Sequence, residues 1–290
     1  MDTLKRLDQQ IVDKDVMNGC LTYIRDNFKS DHYGIIFSSH GTGWLPEGYY
    51  NTPVTQSLSE PKLKSFGVCD SGSTKYEMSV QDMAKAIPMP MDYIIFDACL
   101  MGGIEVAYEL REVTGFIGFS PGEILADGFN YGAFSENLLI KASPAGFCED
   151  YYNYYTSSSV SMHSATVSFV DCSKLEGLAN VCSRLFEKYR DGIASVNPKD
   201  VQGFFSSGKH WFYDLEDIMV NAGISKADRS ELSAAIDACV LYKANTENLL
   251  GNIPIRTFCG FSSYLPCNGS RYLDAFYKDL AWNKATHLVE

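Results

Sequence analysis

An α/β fold with a mainly parallel sheet and helices on both faces is predicted by three features of the chain. Short, β-rich apolar runs recur at residues 33–37, 93–98, 116–120 and 166–170. Helical spacing of apolar residues fills most of the intervals between them, and strand–helix–strand alternation at such intervals is the signature of a parallel sheet covered on both sides. After Asn197-Pro198 the pattern turns mostly helical, which predicts a C-terminal subdomain over 198–290 packed on a catalytic domain over 1–197.

Residues 8–29 read as a helix because Ile11, Val12, Val16, Cys20, Ile24 and Phe28 fall at helical spacing. The run 33–37 is too short for a helix and ends in Ser38-Ser39-His40-Gly41. From 44 to 76 the composition shifts to Pro, Gly, Ser, Asn and Tyr without periodicity, the mark of a long excursion loop. Ser79 then starts a helix carrying Val80, Met83, Ala84 and Ile87, and Pro88 and Pro90 end it. The run 93–98 delivers Cys99, residues 101–113 read as the next helix, and 116–120 as a third parallel strand. Tyr151-Tyr152-Asn153-Tyr154-Tyr155 fits one face of an amphipathic helix better than a binding motif. Helices are expected at 173–190, 214–222 and 228–248, and a late strand at 257–262.

The bulk numbers narrow the functional classes. A chain of 290 residues with 46% hydrophobic content can bury a substantial core. Its net charge of −12 argues against nucleic acid, whose phosphates require a basic footprint. No apolar run reaches the roughly 18 residues that a membrane span needs. The N-terminus has no apolar signal core. Its abrupt start reads as a mature or trimmed chain, which fits a secreted, periplasmic or cell-surface protein, expected as a monomer. The nine cysteines are scattered, with no C-x-x-C pair and no His partners at zinc spacing. They read mostly as reduced core residues, with Cys259 and Cys267 the one nearby pair to examine for a disulfide.

His40 and Cys99, 59 positions apart, each stand just past an apolar strand and among small residues. Functional groups of open α/β sheets gather at the carboxyl ends of strands. Two adjacent parallel strands would bring an imidazole to a thiol, which is what nucleophilic cysteine catalysis requires. Taken singly, a Cys in an apolar strand is usually an inert core residue and a His beside Gly usually a turn residue; the pair is harder to explain that way. The attacking species is the thiolate, so Cys99 needs a base or a depressed pKa. His40 supplies the base, and a helix opening at Leu100 or Met101 would add the positive end of its dipole. His32, His163, His210 and His287 have no comparable setting and read as structural or surface residues.

Ser39-His40-Gly41-Thr42-Gly43-Trp44 and the stretch from Phe96-Asp97-Ala98-Cys99 through Glu109-Leu110 resemble the clostripain-like cysteine peptidases, relatives of caspases, legumains and gingipains. The similarity is dense over residues 33–135 and patchy beyond. It implies a caspase-like sandwich and a Cys–His dyad with no third member. By analogy with caspases, the N–H groups of Gly41 and Cys99 would form the oxyanion hole, although Gly41 and Gly43 also read as ordinary turn glycines.

Asp97 lies two residues before Cys99 on one strand and so projects to the same side. The resemblance makes it an acidic S1 residue suited to a cationic P1 side chain, while its position before a helix also suits a cap. Ser120 is a candidate for the opposite wall and Asp127 a further S1 contact. The expected function is a cysteine endopeptidase cutting peptides or proteins after Arg or Lys through a Cys99 thioester. The alternatives are a silent peptidase-like binding domain and a legumain-type transpeptidase. The resemblance also implies self-cleavage in the loop before the Cys strand, where Lys62, Lys64 and Lys75 are the basic candidates; equally, they are solubilising loop residues. No cofactor is required. Calcium enters by resemblance alone, since no EF-hand loop is present.

Overall fold

The computed structural model describes residues 12–49, 69–71, 74–133, 135–157, 160–205 and 210–290. The helix α1 (Lys14–Asn27) starts where Asp13 accepts from the N–H groups of Asp15 and Val16, and it buries Met17 and Leu21. Strand β1 (Gly34–Ser38) follows. A hairpin, β2 (Cys69–Ser71) and β3 (Thr74–Tyr76), ends the excursion after Trp44. Ser79 caps α2 (Val80–Ala86), accepting from Asp82 N–H at 3.1 Å, and the chain enters β4 (Met91–Asp97). Then come α3 (Ile104–Leu110), β5 (Thr114–Phe119), α4 (Pro144–Thr156), β6 (Thr166–Asp171) and α5 (Leu175–Lys188). The last third holds α6 (Arg190–Ala194), β7 (Tyr213–Asp214), α7 (Leu215–Asn221), α8 (Lys226–Cys239) and β8 (Val240–Asn245). It closes with β9 (Asn248–Leu249), β10 (Ile253–Pro254), β11 (Ser262–Ser263), α9 (Arg271–Tyr277) and α10 (Ala281–Thr286).

The central sheet runs β1-β4-β5-β6-β8. β1, β4 and β5 are parallel, β6 is antiparallel to β5, and β8 is antiparallel to β6, so four of the five strands point one way. Alternation along β4 sends Ile94 and Phe96 into the larger core, beneath α2, α3, α5, α8 and α10. Ile95 goes to the opposite face, where α4 covers it with Phe147, Tyr151 and Tyr155. The tyrosine-rich stretch is thus a core-facing helix side.

Two sequence expectations change. Residues 228–248 do not form one helix: α8 stops at Cys239, and residues 240–245 become the edge strand β8, paired with β6. Val240 and Tyr242 are half-buried while Leu241 and Lys243 are exposed, a period of two that a short stretch cannot distinguish from helix ends until a partner strand is present. The fifth strand therefore comes from the segment after 198. Residues 257–262 form little strand, since only the two residues of β11 pair, with β7.

That C-terminal region is fastened to α3 by one buried carboxylate. Glu105 is fully buried, and its Oε1 accepts from Ser263 Oγ (3.0 Å), Tyr264 N–H (2.9 Å) and Tyr277 OH (2.6 Å). Burial pushes its pKa up, and the three donors oppose that shift. Glu105→Ala should strand three donors at about 1–3 kcal/mol each. Glu105→Gln, which keeps an acceptor oxygen, should lose far less. Urea midpoints of the two variants check the difference, and equal losses would remove the anchoring role.

Candidate active site

Parallel pairing brings the two motifs together. Gly34 through Ser38 lie opposite Tyr93 through Asp97 in unbroken register, and Ser39 N–H adds a bond to Asp97 O at 3.2 Å. His40 and Cys99 each follow two residues beyond the last registered pair, Ser38 and Asp97. At the next position the chains touch: a Cβ on Gly41 would stand 2.4 Å from the Cys99 carbonyl oxygen. Any side chain there would push the two loops apart. The His40 imidazole is exposed, Cys99 is half-buried, and the Gly41 N–H donates to no acceptor among the described residues.

The His40 loop is held from behind by Trp44, almost fully buried, with its ring edge-on to Tyr264 and Tyr277 at 5.0 Å each. These are the residues that bind Glu105 of α3. The Cys99 loop is held by Leu100, which adopts a left-handed conformation (φ 62°) costing a non-glycine residue about 1–2 kcal/mol. Full burial of its side chain and a bond from its N–H to Gly122 O (2.9 Å) keep it there.

This turn delays the helix. The Gly102 N–H is taken by Ser120 O and the Gly102 carbonyl by Ser262 N–H, so α3 begins at Ile104 rather than at Leu100 or Met101. Its cap, Gly103, offers no side-chain bond, and dipole effects fade within a turn, so the helix gives the thiol little help. The Cys99 Sγ instead accepts from Ile124 N–H (3.3 Å) and donates to Ile124 O (3.6 Å), with no hydrogen bond to His40. Burial raises its pKa above the ordinary thiol value; the Ile124 contact lowers it, and the Glu123 and Asp97 charges raise it. Burial thus favours the neutral thiol over the thiolate.

Asp97 is buried on the face shared with Ile95. It does not cap α3, whose cap is Gly103. Its Oδ2 accepts from Tyr131 OH (2.9 Å) and Ser38 Oγ (3.3 Å). Ser120 is not exposed to a cleft: it is fully buried, and its hydroxyl pairs with Thr166 Oγ1 (2.7 Å), Gly122 O and Gly122 N–H. It braces the turn that carries Glu123 and Ile124. Asp127 is exposed, in the loop whose Gly128 lies against Asp97. Lys62 and Lys64 lie outside the described residues, and Lys75 sits in β3 opposite Asp70. Cys259 and Cys267 are both free thiols. Among the described residues no three His, Cys, Asp or Glu side chains gather to hold a metal ion. Glu105, Glu123, Ile124, Tyr131 and Ser38 were not assigned roles from sequence; Glu105 and Glu123 stood inside the segments of interest, but their partners come from distant elements.

A four-to-one sheet direction, helices on both faces, and His and Cys loops at neighbouring carboxyl ends define a caspase-like α/β sandwich of the cysteine-protease class. The chain belongs to the Clostripain family (peptidase C11), whose model matches residues 3–284. Clostripain of Hathewaya histolytica is 28% identical over 147 residues, covering 45% of this chain and 25% of that longer protein. An inactive zymogen C11 protease from Parabacteroides distasonis superposes with a TM-score of 0.82 at 26% identity, over 99% of this chain and 79% of the other. A Bacteroides thetaiotaomicron clostripain in complex with the peptide inhibitor BTN-VLTK-AOMK gives a TM-score of 0.65 at 27% identity, over 75% and 99%.

The raised thiol pKa has a measurable consequence. Alkylation of Cys99 by iodoacetamide should keep accelerating as pH rises through 9.0, the ordinary thiol value, with no plateau near neutrality. Glu123→Gln removes a raising charge and should shift that profile to lower pH. A plateau below pH 8 in the wild type, read by mass spectrometry of the Cys99 peptide, would show a preformed thiolate.

Proposed function

We propose that this protein is a cysteine endopeptidase that cleaves after basic residues, with Cys99 as nucleophile and His40 as acid and base. The observation that carries the reading is the seating of Gly41 on the Cys99 carbonyl, which makes the two loops one surface with an imidazole and a thiol on it. In this reading Cys99 Sγ attacks the scissile carbonyl carbon while its proton passes to His40. The N–H groups of Gly41 and Cys99 meet the oxyanion. His40 then protonates the leaving amine, and water, deprotonated by His40, hydrolyses the thioester. Asp97 receives the P1 cation, with Asp127 as a second carboxylate at the rim. The lysine of the inhibitor bound by the Bacteroides relative accords with this choice.

The thiol's contact with Ile124 favours a second reading of the state described: a latent form in which the Ile124 turn must move off the thiol before the dyad engages. Its similarity to a C11 zymogen supports the same view. Self-cleavage after Lys62, Lys64 or Lys75 is one route to activation. Lys75 is the poorest candidate, because its backbone is paired in the hairpin and not free to enter a protease cleft. We further propose that residues 1–197 and 198–290 act together on one substrate, secreted or at the cell surface, as a monomer. No helix among the described residues is long and apolar enough to cross a membrane.

A fluorogenic library scanning P1, run with wild type, Cys99→Ala and His40→Ala, tests the central reading. Wild type should cleave basic P1 peptides, and both variants should fall to trace rates while keeping wild-type unfolding midpoints. Residual turnover in folded Cys99→Ala above a few per cent would falsify the nucleophile assignment. Self-processing has its own measurement: on incubation, intact-mass spectra of wild type should show a cut after one of the three lysines, and Cys99→Ala should stay whole. A fully active, uncut wild type would rule that route out.

A further inference from the structure

The two donors on Asp97 fall on the same oxygen. Tyr131 OH and Ser38 Oγ both reach Oδ2, whereas Oδ1 has no partner among the described residues. Asp97 as a whole keeps 7% of its surface exposed. Tyr131 makes the short bond to Oδ2 and Ser38, which also bonds the Tyr131 hydroxyl, a longer one, so Oδ2 is engaged while Oδ1 carries no donor among the described residues. Burial and the adjacent Asp97 charge push the Tyr131 phenol up to about 12, which keeps it protonated and donating. The Gly128–Tyr131 end of the loop is held in that position, apart from the Ile124 turn that contacts the thiol. Gly128, at φ 65°, lies so close that a Cβ there would stand 2.6 Å from Oδ2 and 2.8 Å from Oδ1, and Tyr155 of α4 donates to the Gly128 carbonyl at 3.1 Å.

A guanidinium binds a carboxylate best through two parallel N–H bonds, one to each oxygen. An ammonium is a compact point charge that needs only one. We infer that Tyr131, with Ser38, sets the choice between the two basic P1 residues in favour of lysine, by leaving Asp97 a single oxygen for substrate. This rests on the reading of Asp97 as the P1 carboxylate. Tyr131 is a specificity-determining residue here; it takes no part in the chemistry at Cys99.

The test compares kcat/KM for two peptides differing only in Lys or Arg at P1, with a neutral P1 control. The Lys/Arg ratio within one preparation is independent of the fraction of active enzyme. Wild type should favour Lys by about tenfold, the worth of one charge-assisted hydrogen bond. Tyr131→Phe should bring the ratio toward one, mainly through a gain for Arg, because a lone pair on Oδ2 is released. Ser38→Ala, which leaves the aromatic packing of Tyr131 in place, should move it the same way and serves if Tyr131→Phe folds poorly. A wild type that cleaves Arg as well as Lys overturns the proposal and points to a second oxygen from elsewhere, Asp127 first. A Lys preference unchanged in both variants overturns it as well. Equal cleavage of neutral and basic P1 peptides sinks the role of Asp97 itself, a failure distinct from the other two.

Discussion

The parallel pairing of β1 with β4 is the constraint on which the site depends. Five consecutive registered pairs put Ser38 beside Asp97, and both chains then leave the sheet together. A slip of one residue would send every β4 side chain to the wrong face, burying the Asp97 carboxylate among Phe96's aliphatic and aromatic neighbours. The register is secured by core packing on both sides, with Ile94 and Phe96 on one and Ile95 on the other. Gly41 then permits a backbone contact that no other residue would allow. Chemistry-bearing side chains are thereby placed by backbone and core, and not by contacts with each other.

A second layer of support comes from the far end of the chain. Tyr264 and Tyr277 receive Trp44 from the His40 loop on their rings, and through a backbone N–H and a phenol they bind Glu105 of the helix that follows Cys99. The two loops are referred to one pair of residues more than 220 positions beyond the sheet's first strand. Aromatic contacts of this kind add about 0.5–1.5 kcal/mol beyond area burial, and the buried carboxylate makes the arrangement costly to disrupt. Such a brace explains why the C-terminal third cannot be treated as an independent appendage, a point reinforced by β8 completing the sheet.

The electrostatics around Cys99 are those of a guarded thiol. Burial is the largest influence against a thiolate at Cys99, Ile124 opposes it with one N–H, and the Glu123 and Asp97 charges add smaller pushes in the same direction as burial. In the proposed function the carboxylate that would receive the P1 cation is also the smallest of the influences acting on the thiol.

The sequence alone determined the sheet strands near His40 and Cys99, the Ser79 cap, the proline stop and the family, because each is written in short-range periodicity or in a contiguous motif. It also suggested Asp97 through the two-residue repeat of a strand. Tertiary structure decided the rest. The helix after Cys99 starts at Ile104 because Ser120 and Ser262, far along the chain, claim the backbone of Gly102. Residues 240–245 became a strand because β6 offered an unpaired edge. Ser120 turned inward because Thr166 stands opposite. Tyr131 and Ser38 met on one carboxylate oxygen only once β1, β4 and the 125–131 loop were packed together. Local patterns encode which backbone a segment prefers; which donor meets which acceptor depends on partners that no local window contains.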